Sequence, residues 1–305
     1  MPRKSRIAIV GSGRLGTALA RHLQQAGYTI TEIVHHGSLP KRETRLLARA
    51  VETQLSPIAH SRPDADVIWF CVPDRQIAAA ALALAKNGNW KGKTAFHSSG
   101  ALTSNELDVL RRKGAAVASV HPLMTFVAGT LPSLQGVPFA LEGGPKAVSL
   151  AKKIVRDLGG RPFKIKAKDK VAYHAWGAFS SPLVIALLVN AEQVARVAGI
   201  SPATARRKML PILRQTIENY GRLGAAGAFS GPLVRGDAEI VGKHLQVLKR
   251  IPAAKNAYIS LASAALESLP VQNKSRLKQL FELNTTIRKS TIKIRPSNAS
   301  SPSAS

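Results

Sequence analysis

Residues 11–16 read Gly11-Ser12-Gly13-Arg14-Leu15-Gly16, directly after the β-rich run Arg6–Val10 and at the start of the amphipathic stretch Leu15–Ala26. A second β-rich run, Thr29–His35, follows Gly27 and Tyr28. Glycines at this spacing are common in turns, but a strand before them, a helix after them and a further strand beyond make the motif specific. Gly11 is expected to permit a tight turn, Gly13 to let the backbone approach a pyrophosphate, and Gly16 to let helix and strand pack closely. Ser12, Arg14 and Leu15 complete the loop, whose free amides at the positive end of the helix suit a phosphate. The alternative is a turn with no ligand.

The alternation continues. Strands are expected at Ala65–Val72, Lys93–His97 and Ala116–Val120, and helices at Lys41–Glu52, Arg75–Lys86 and Thr103–Lys113. Val137–Leu141, Lys146–Leu158 and Arg161–Ile165 complete the edge of one sheet. Strands alternating with helices imply a parallel sheet covered on both faces. From Asp169 onward the apolar period is helical, with breaks at Gly199–Pro202, Gly221–Gly236 and Arg250–Pro252. The fold class is therefore α/β, with an N-terminal doubly wound Rossmann domain over residues 1–165 followed by an all-helical C-terminal domain over 166–283. Residues 284–305, rich in Ser, Thr, Asn and Pro, are expected to form a disordered tail.

The chain has 305 residues, 45% of them hydrophobic, enough for two cores and too apolar for general disorder. Its formal charge of +27 would ordinarily suggest nucleic acid. The excess is spread evenly, +13 over residues 1–165 and +14 over 166–305, and basic runs such as Arg111-Arg112-Lys113 lack interleaved aromatics. A small anionic ligand is the better expectation. The single cysteine, Cys71, lies in an apolar run and reads as a buried thiol in a reducing compartment. Ile7–Val10 is too short for a signal-peptide core, and Ser180, Ser181 and Pro182 interrupt the apolar region Ala175–Val189, so a cytoplasmic protein without a membrane span is expected.

The end of the second strand distinguishes dinucleotides. An NAD site usually places Asp or Glu there for the ribose hydroxyls. Here the residues are His35, His36, Gly37 and Ser38, followed by Lys41 and Arg42, while Glu32 falls inside the strand. Ser and basic groups accommodate a 2′-phosphate that a carboxylate would repel, so the expected cofactor is NADP (NADPH), with His35 and Ser38 in the site.

Three separated motifs, His97-Ser98-Ser99-Gly100-Ala101-Leu102, Ser119-Val120-His121-Pro122-Leu123-Met124-Thr125-Phe126 and Ser230-Gly231-Pro232-Leu233-Val234-Arg235-Gly236-Asp237, resemble the Rossmann-like and DUF2520 domain-containing proteins. That family looks related to the 6-phosphogluconate-dehydrogenase-like group, which includes ketopantoate reductase, prephenate dehydrogenase and F420-dependent NADP reductases. The resemblance implies a nicotinamide pocket lined by Val72 and Pro73 with Ser98, Ser99 and Gly100 beside it. It also implies a helical substrate and dimerisation domain, hence a homodimer.

His121 follows the strand after the one that precedes Ser99, at its carboxyl end, where open α/β sheets bind ligands. Prephenate dehydrogenases similarly place a Ser after one strand and a His-Pro pair after the next. An imidazole with a Ser partner is expected to move a proton near neutral pH, making His121 and Ser99 catalytic candidates; the alternative for His121 is a turn-capping role. His97 is expected to orient the Ser98–Gly100 turn. His174, at a helix start where the family often has His, is a third catalytic candidate. Ser181 and Arg235 are candidate substrate contacts, Arg235 because a guanidinium binds a carboxylate with two hydrogen bonds; pairing of Arg235 with Asp237 is the competing reading. Pro182 should kink its helix. No metal-ligand spacing is evident. The expected activity is NADP-dependent reduction of a small carbonyl or imine, a 2-oxo acid such as ketopantoate being the most specific substrate. The rival is a non-catalytic nucleotide-binding or interaction protein on the same fold.

Overall fold

A computed structural model describes residues 3–37 and 39–285. Ser38 and nearly all of the expected tail lie outside the described residues. The chain divides into two compact units, residues 1–182 and 183–305.

The first unit is built on one sheet: β1 (Ile7–Val10), β2 (Ile30–His35), β3 (Gln54–Pro57), β4 (Val67–Phe70), β5 (Thr94–His97), β6 (Ala116–Pro122), β7 (Pro138–Gly143) and β8 (Arg161–Lys164). Their spatial order is β3-β2-β1-β4-β5-β6-β7-β8. The order reverses between β1 and β4, which puts a crevice at the carboxyl ends of these strands. Helices α1 (Arg14–Gln25), α2 (Arg42–Ala50), α3 (Ile77–Ala85), α4 (Asp108–Arg111) and α5 (Pro145–Asp157) cover the faces. Every residue of β1, β4 and β5 is buried, as strands covered on both sides require. Leu19 and Leu23 of α1 pack on one face with Ile9, Trp69 and Ile154, while Ile77 and Leu84 of α3 pack on the other with Phe70 and Leu110. Each such side chain contributes about 2 kcal/mol of burial.

The structure departs from the expected elements at three places. The sheet is not wholly parallel, because β7 runs antiparallel to β6. Residues 123–137 between them contain no helix, and without a crossover helix the chain returns in the opposite direction. The short edge strand β3 went unread, since Gln-Leu-Ser-Pro carries no β pattern. The helix expected over Thr103–Lys113 is a 3₁₀ turn, Ser104–Leu107, leading into the single turn α4.

The first unit also includes α6 (Lys170–Ser180), one helix beyond the boundary expected at residue 165. Its side chains reach the ends of β5 and β6, as described below. Pro182 does break the helix: Ser181 has φ −139° and ψ −80°, and α7 (Pro182–Val197) begins at the proline. By length and composition, Ala167–Val197 as a whole could cross a membrane, a longer apolar stretch than expected, although it is two helices.

In the second unit α9 (Ala238–Leu248), α10 (Pro252–Ser268) and α11 (Lys274–Asn284) enclose a core of Val241, Leu245, Ile259, Leu277 and Phe281. α7 buries none of its residues, and α8 (Pro202–Ala228) buries only Ala205. Ile185, Val189, Ile212, Ile217, Tyr220 and Leu223 are exposed along them. α8 runs through part of the expected break at 221–236, kinking at Gly224, where φ is 70° and ψ 179°.

Candidate active site

The glycine loop has the geometry its spacing implies. Gly11 adopts φ +99°, and a Cβ there would meet Val72 Cγ1 at 2.8 Å and the Cys71 carbonyl oxygen at 2.9 Å. A Cβ on Gly16 would fall 2.0 Å from the Gly11 carbonyl oxygen, so α1 packs on the loop as only glycine allows. At Gly13 a Cβ would meet nothing within 4 Å, so this part of the loop faces open space. Gly13 caps α1 with no side-chain bond, leaving the first amides available to an anion. Ser12 is tied through its hydroxyl to that of Thr44 on α2, 2.6 Å away.

These residues open onto a cleft of about 510 Å³ along the carboxyl ends of β1, β2 and β4. Of the expected cofactor residues, Gly11, Ser12, Gly13, His35, Val72 and Pro73 line it; Arg14, Leu15, Gly16, Ser98 and Gly100 do not. Leu15 and Gly16 lie behind the loop, against the strands, and Arg14 is exposed. Cys71 also lines the cleft, with its thiol pushed by burial up to about 12 and therefore unreactive. Lys41 lines the cleft and Arg42 does not. The acid absent from the end of β2 is present in the first turn of α2, where Glu43 joins Lys41 and His36 at the wall. Glu32 instead accepts a hydrogen bond from Ser61 Oγ at 2.8 Å inside the fold. The residues fit a dinucleotide, with an open glycine, uncapped helix amides and a cation at the β2 end.

Beyond the cleft, the loop after β5 is held from three directions. His97 is fully buried; its Nδ1 accepts from the Ser99 amide at 3.1 Å and its Nε2 donates to the Thr103 carbonyl at 2.9 Å. Both ring nitrogens are thus engaged by a neutral imidazole, and burial lowers its pKa to about 4. The expected orienting role of His97 is what the structure shows. Ser99 differs from expectation. Its hydroxyl donates to Asp74 at 2.7 Å and accepts from the amides of Ala101 and Leu102 at 3.2 and 2.9 Å. The hydroxyl is occupied in shaping the turn and is no partner to an imidazole. Ser98 likewise accepts the Trp69 indole N–H, at 2.8 Å.

The partner of His121 is Tyr173 on α6, whose hydroxyl lies 2.8 Å from Nδ1. The two rings meet edge to face at 5.5 Å, and the His174 ring lies 6.1 Å from that of His121. Gly100 closes the cluster: a Cβ there would stand 2.6 Å from His174 Cδ2 and 2.9 Å from His121 Nε2. Two of the three catalytic candidates therefore converge, on a backbone that must be bare. Burial first, and the nearby Lys170 ammonium second, lower the His121 pKa to about 4. The ring is therefore neutral near neutral pH, and its partner is the Tyr173 hydroxyl where the sequence suggested a serine. Burial raises the Tyr173 phenol to about 12, so it keeps its proton.

Lys170, Tyr173 and Asp74 around the β5 and β6 ends, and Glu43 at the cleft wall, are not evident from the sequence. Lys170, Tyr173 and His174 share one helical face at i, i+3 and i+4, the signal that could have joined the first two to His174. Arg235, in the second unit, pairs with Asp237 through Nε at 2.9 Å and a terminal nitrogen at 2.8 Å. Both contacts go to one oxygen of Asp237 and the Arg235 side chain is largely exposed, so the pair is the competing reading that the sequence offered. Ser181 sits at the break between α6 and α7. Among the described residues no group of His, Cys, Asp and Glu could hold a metal ion.

Two family matches cover most of the chain: a Rossmann-like domain over residues 1–122 and a domain of unknown function, DUF2520, over 137–265. No curated protein matches it. Among solved structures, a candidate NADP oxidoreductase from Bacteroides fragilis is similar with a TM-score of 0.73 and 21% identity, over 86% of this chain and 97% of that one. An imine reductase from Myxococcus stipitatus in complex with NADP+ has a TM-score of 0.65 at 15% identity, over 91% and 99%. A reductive aminase from Aspergillus terreus in complex with NADPH has 0.62 at 16%, over 92% and 100%. At these identities the likeness is one of fold. With both domains matched in order, the chain belongs to the Rossmann-like and DUF2520 domain-containing proteins.

Proposed function

We propose that the protein is an NADP-dependent oxidoreductase that reduces the C=O or C=N bond of a small substrate. The observation that carries this reading is the presence, at the carboxyl ends of the parallel strands, of both an uncapped glycine loop and a neutral His121–Tyr173 couple. A bound nicotinamide dinucleotide supplies the hydride. The Gly11–Gly13 backbone and the start of α1 would hold its pyrophosphate, Lys41 and His36 its ribose phosphate, and Val72 and Pro73 would lie toward the ring. With Tyr173 donating to Nδ1, the proton of His121 sits on Nε2, which faces Gly100. That N–H donates to a substrate oxygen or nitrogen as charge develops on it. Asp74, next to Pro73, joins the two regions through its bond from Ser99.

With Arg235 paired to Asp237 at the surface, the substrate class is kept broader than a carboxylate such as ketopantoate: small ketones, oxo acids and imines. A panel of these with NADPH, followed by loss of absorbance, tests the reading. The occupied Ser99 hydroxyl favours a second reading, a nucleotide-binding protein without turnover, which gains if NADPH binds saturably and no member of the panel is reduced. For assembly, a second copy of this chain is the occupant proposed for the apolar surface of α7 and α8.

A further inference from the structure

Lys170 stands at the first position of α6 and has no solvent exposure. Its ammonium donates to Ser119 Oγ at 2.7 Å and to the Ser99 carbonyl oxygen at 3.1 Å, and Ser119 Oγ donates to the same carbonyl at 3.0 Å. Among the described residues no carboxylate forms an ion pair with it. Asp74 is occupied by the Ser99 hydroxyl, and Glu142 on β7 by the amide and hydroxyl of Ser104. A buried ammonium held only by neutral oxygens is costly, and an apolar side chain of similar length would fill the space without that cost. The arrangement around it shows what the charge accomplishes. Ser119 and His121 lie two apart on β6 and share a sheet face; Lys170 and Tyr173 lie three apart on α6 and share a helix face. Lys170 to Ser119 and Tyr173 to His121 are thus successive rungs between one helix and one strand.

We propose that Lys170 is a positioning residue of the His121 site: it ties the Ser99 carbonyl to β6, which sets Gly100 against His121, and it holds a fixed positive charge beside the imidazole. The groups around that ring are Asp74 after β4, His97 on β5, and Lys170, Tyr173 and His174 on α6, while Glu142 on β7 lies opposite Ser119 and acts on the lysine. Only Asp74 and Glu142 oppose the lysine, and both carboxylates already accept hydrogen bonds. Burial lowers the pKa of Lys170 to about 8, so it is charged at neutral pH. The consequence for catalysis rests on His121 being the group that meets substrate, but its charge state is measurable without turnover.

The test is an NMR titration of the full-length protein labelled at histidine, with the His121 signal assigned by its loss in His121→Asn. In the parent the ring is expected to titrate near 4. In Lys170→Met the midpoint should rise by about one pH unit or more, and Lys170→Arg should restore the low value. A folded Lys170→Met protein with an unshifted His121 midpoint overturns the proposal. Should that variant not fold, the parent decides. A second inflection of the His121 signal as Lys170 loses its proton near pH 8 supports the proposal, and its absence overturns it. Because no substrate is involved, failure of this inference and failure of the proposed reaction are read separately.

Discussion

The hydroxyl of Tyr173 lies 2.8 Å from Nδ1 of His121, and burial keeps both groups uncharged at neutral pH. The couple is made by residues 52 positions apart, one at the end of β6 and one on α6. A neutral imidazole fixed at Nδ1 presents a defined donor at Nε2. Replacing Tyr173 by Phe removes that fixation and leaves the cleft intact. Tyr173→Phe is expected to lower kcat about 10- to 100-fold with the Kd for NADPH unchanged. An unchanged kcat would remove Tyr173 from the site.

The glycine loop separates stability from binding. Gly16→Ala places a methyl group 2.0 Å from a backbone oxygen and should lower the Tm by several degrees, about 2 kcal/mol or more in unfolding free energy. Gly13→Val enters open space, so its Tm should stay near that of the parent while NADPH affinity falls about tenfold or more. Thermal melts with parallel binding titrations check both. A Gly13→Val protein that binds as the parent does would remove that residue from the pyrophosphate site.

The buried histidines make stability depend on pH in a stated direction. Burial is the main cause lowering the folded pKa of His97 from 6.5 to about 4. Above pH 6.5 both states are neutral and this group contributes nothing. As the pH falls from 6.5 toward 4, only the unfolded chain takes up the proton, so stability is lost across that window, by up to about 3 kcal/mol. His121 acts in the same direction. Urea unfolding at pH 7.5 and pH 4.5 should show the loss; equal stabilities would mean that neither ring is protected.

The apolar surfaces of α7 and α8 lead to an expectation about mass. Light scattering should report about twice the 32.5 kDa of one chain. The double substitution Ile212→Glu and Ile217→Glu, at side chains 67% and 68% exposed, should give a folded monomer. A parent that is monomeric at micromolar concentration would contradict the proposed occupant.

The sheet was legible because its strands are apolar runs punctuated by glycine, and the conformation of the glycine loop because Gly11 and Gly16 each meet a close backbone contact. β3 was not, since an edge strand of four residues, half of them polar, has no period. Glu43 was not legible because it lies beyond the strand end, in the first turn of α2, which folds back to the cleft. Ser99 and His121 were both singled out but wrongly paired. A sequence places the serine two positions from His97, yet it does not show that Asp74, 25 residues earlier, accepts its hydrogen bond. Lys170 is the clearest limit: its partners are 51 and 71 residues away, and a lysine read alone is a surface residue.

A calorimetric titration of the full-length protein with NADPH and, separately, NADH tests the central reading most directly. Saturable NADPH binding is expected, about tenfold or more tighter than NADH, with Lys41→Ala narrowing the difference by weakening NADPH alone. Saturable binding of neither nucleotide would contradict it.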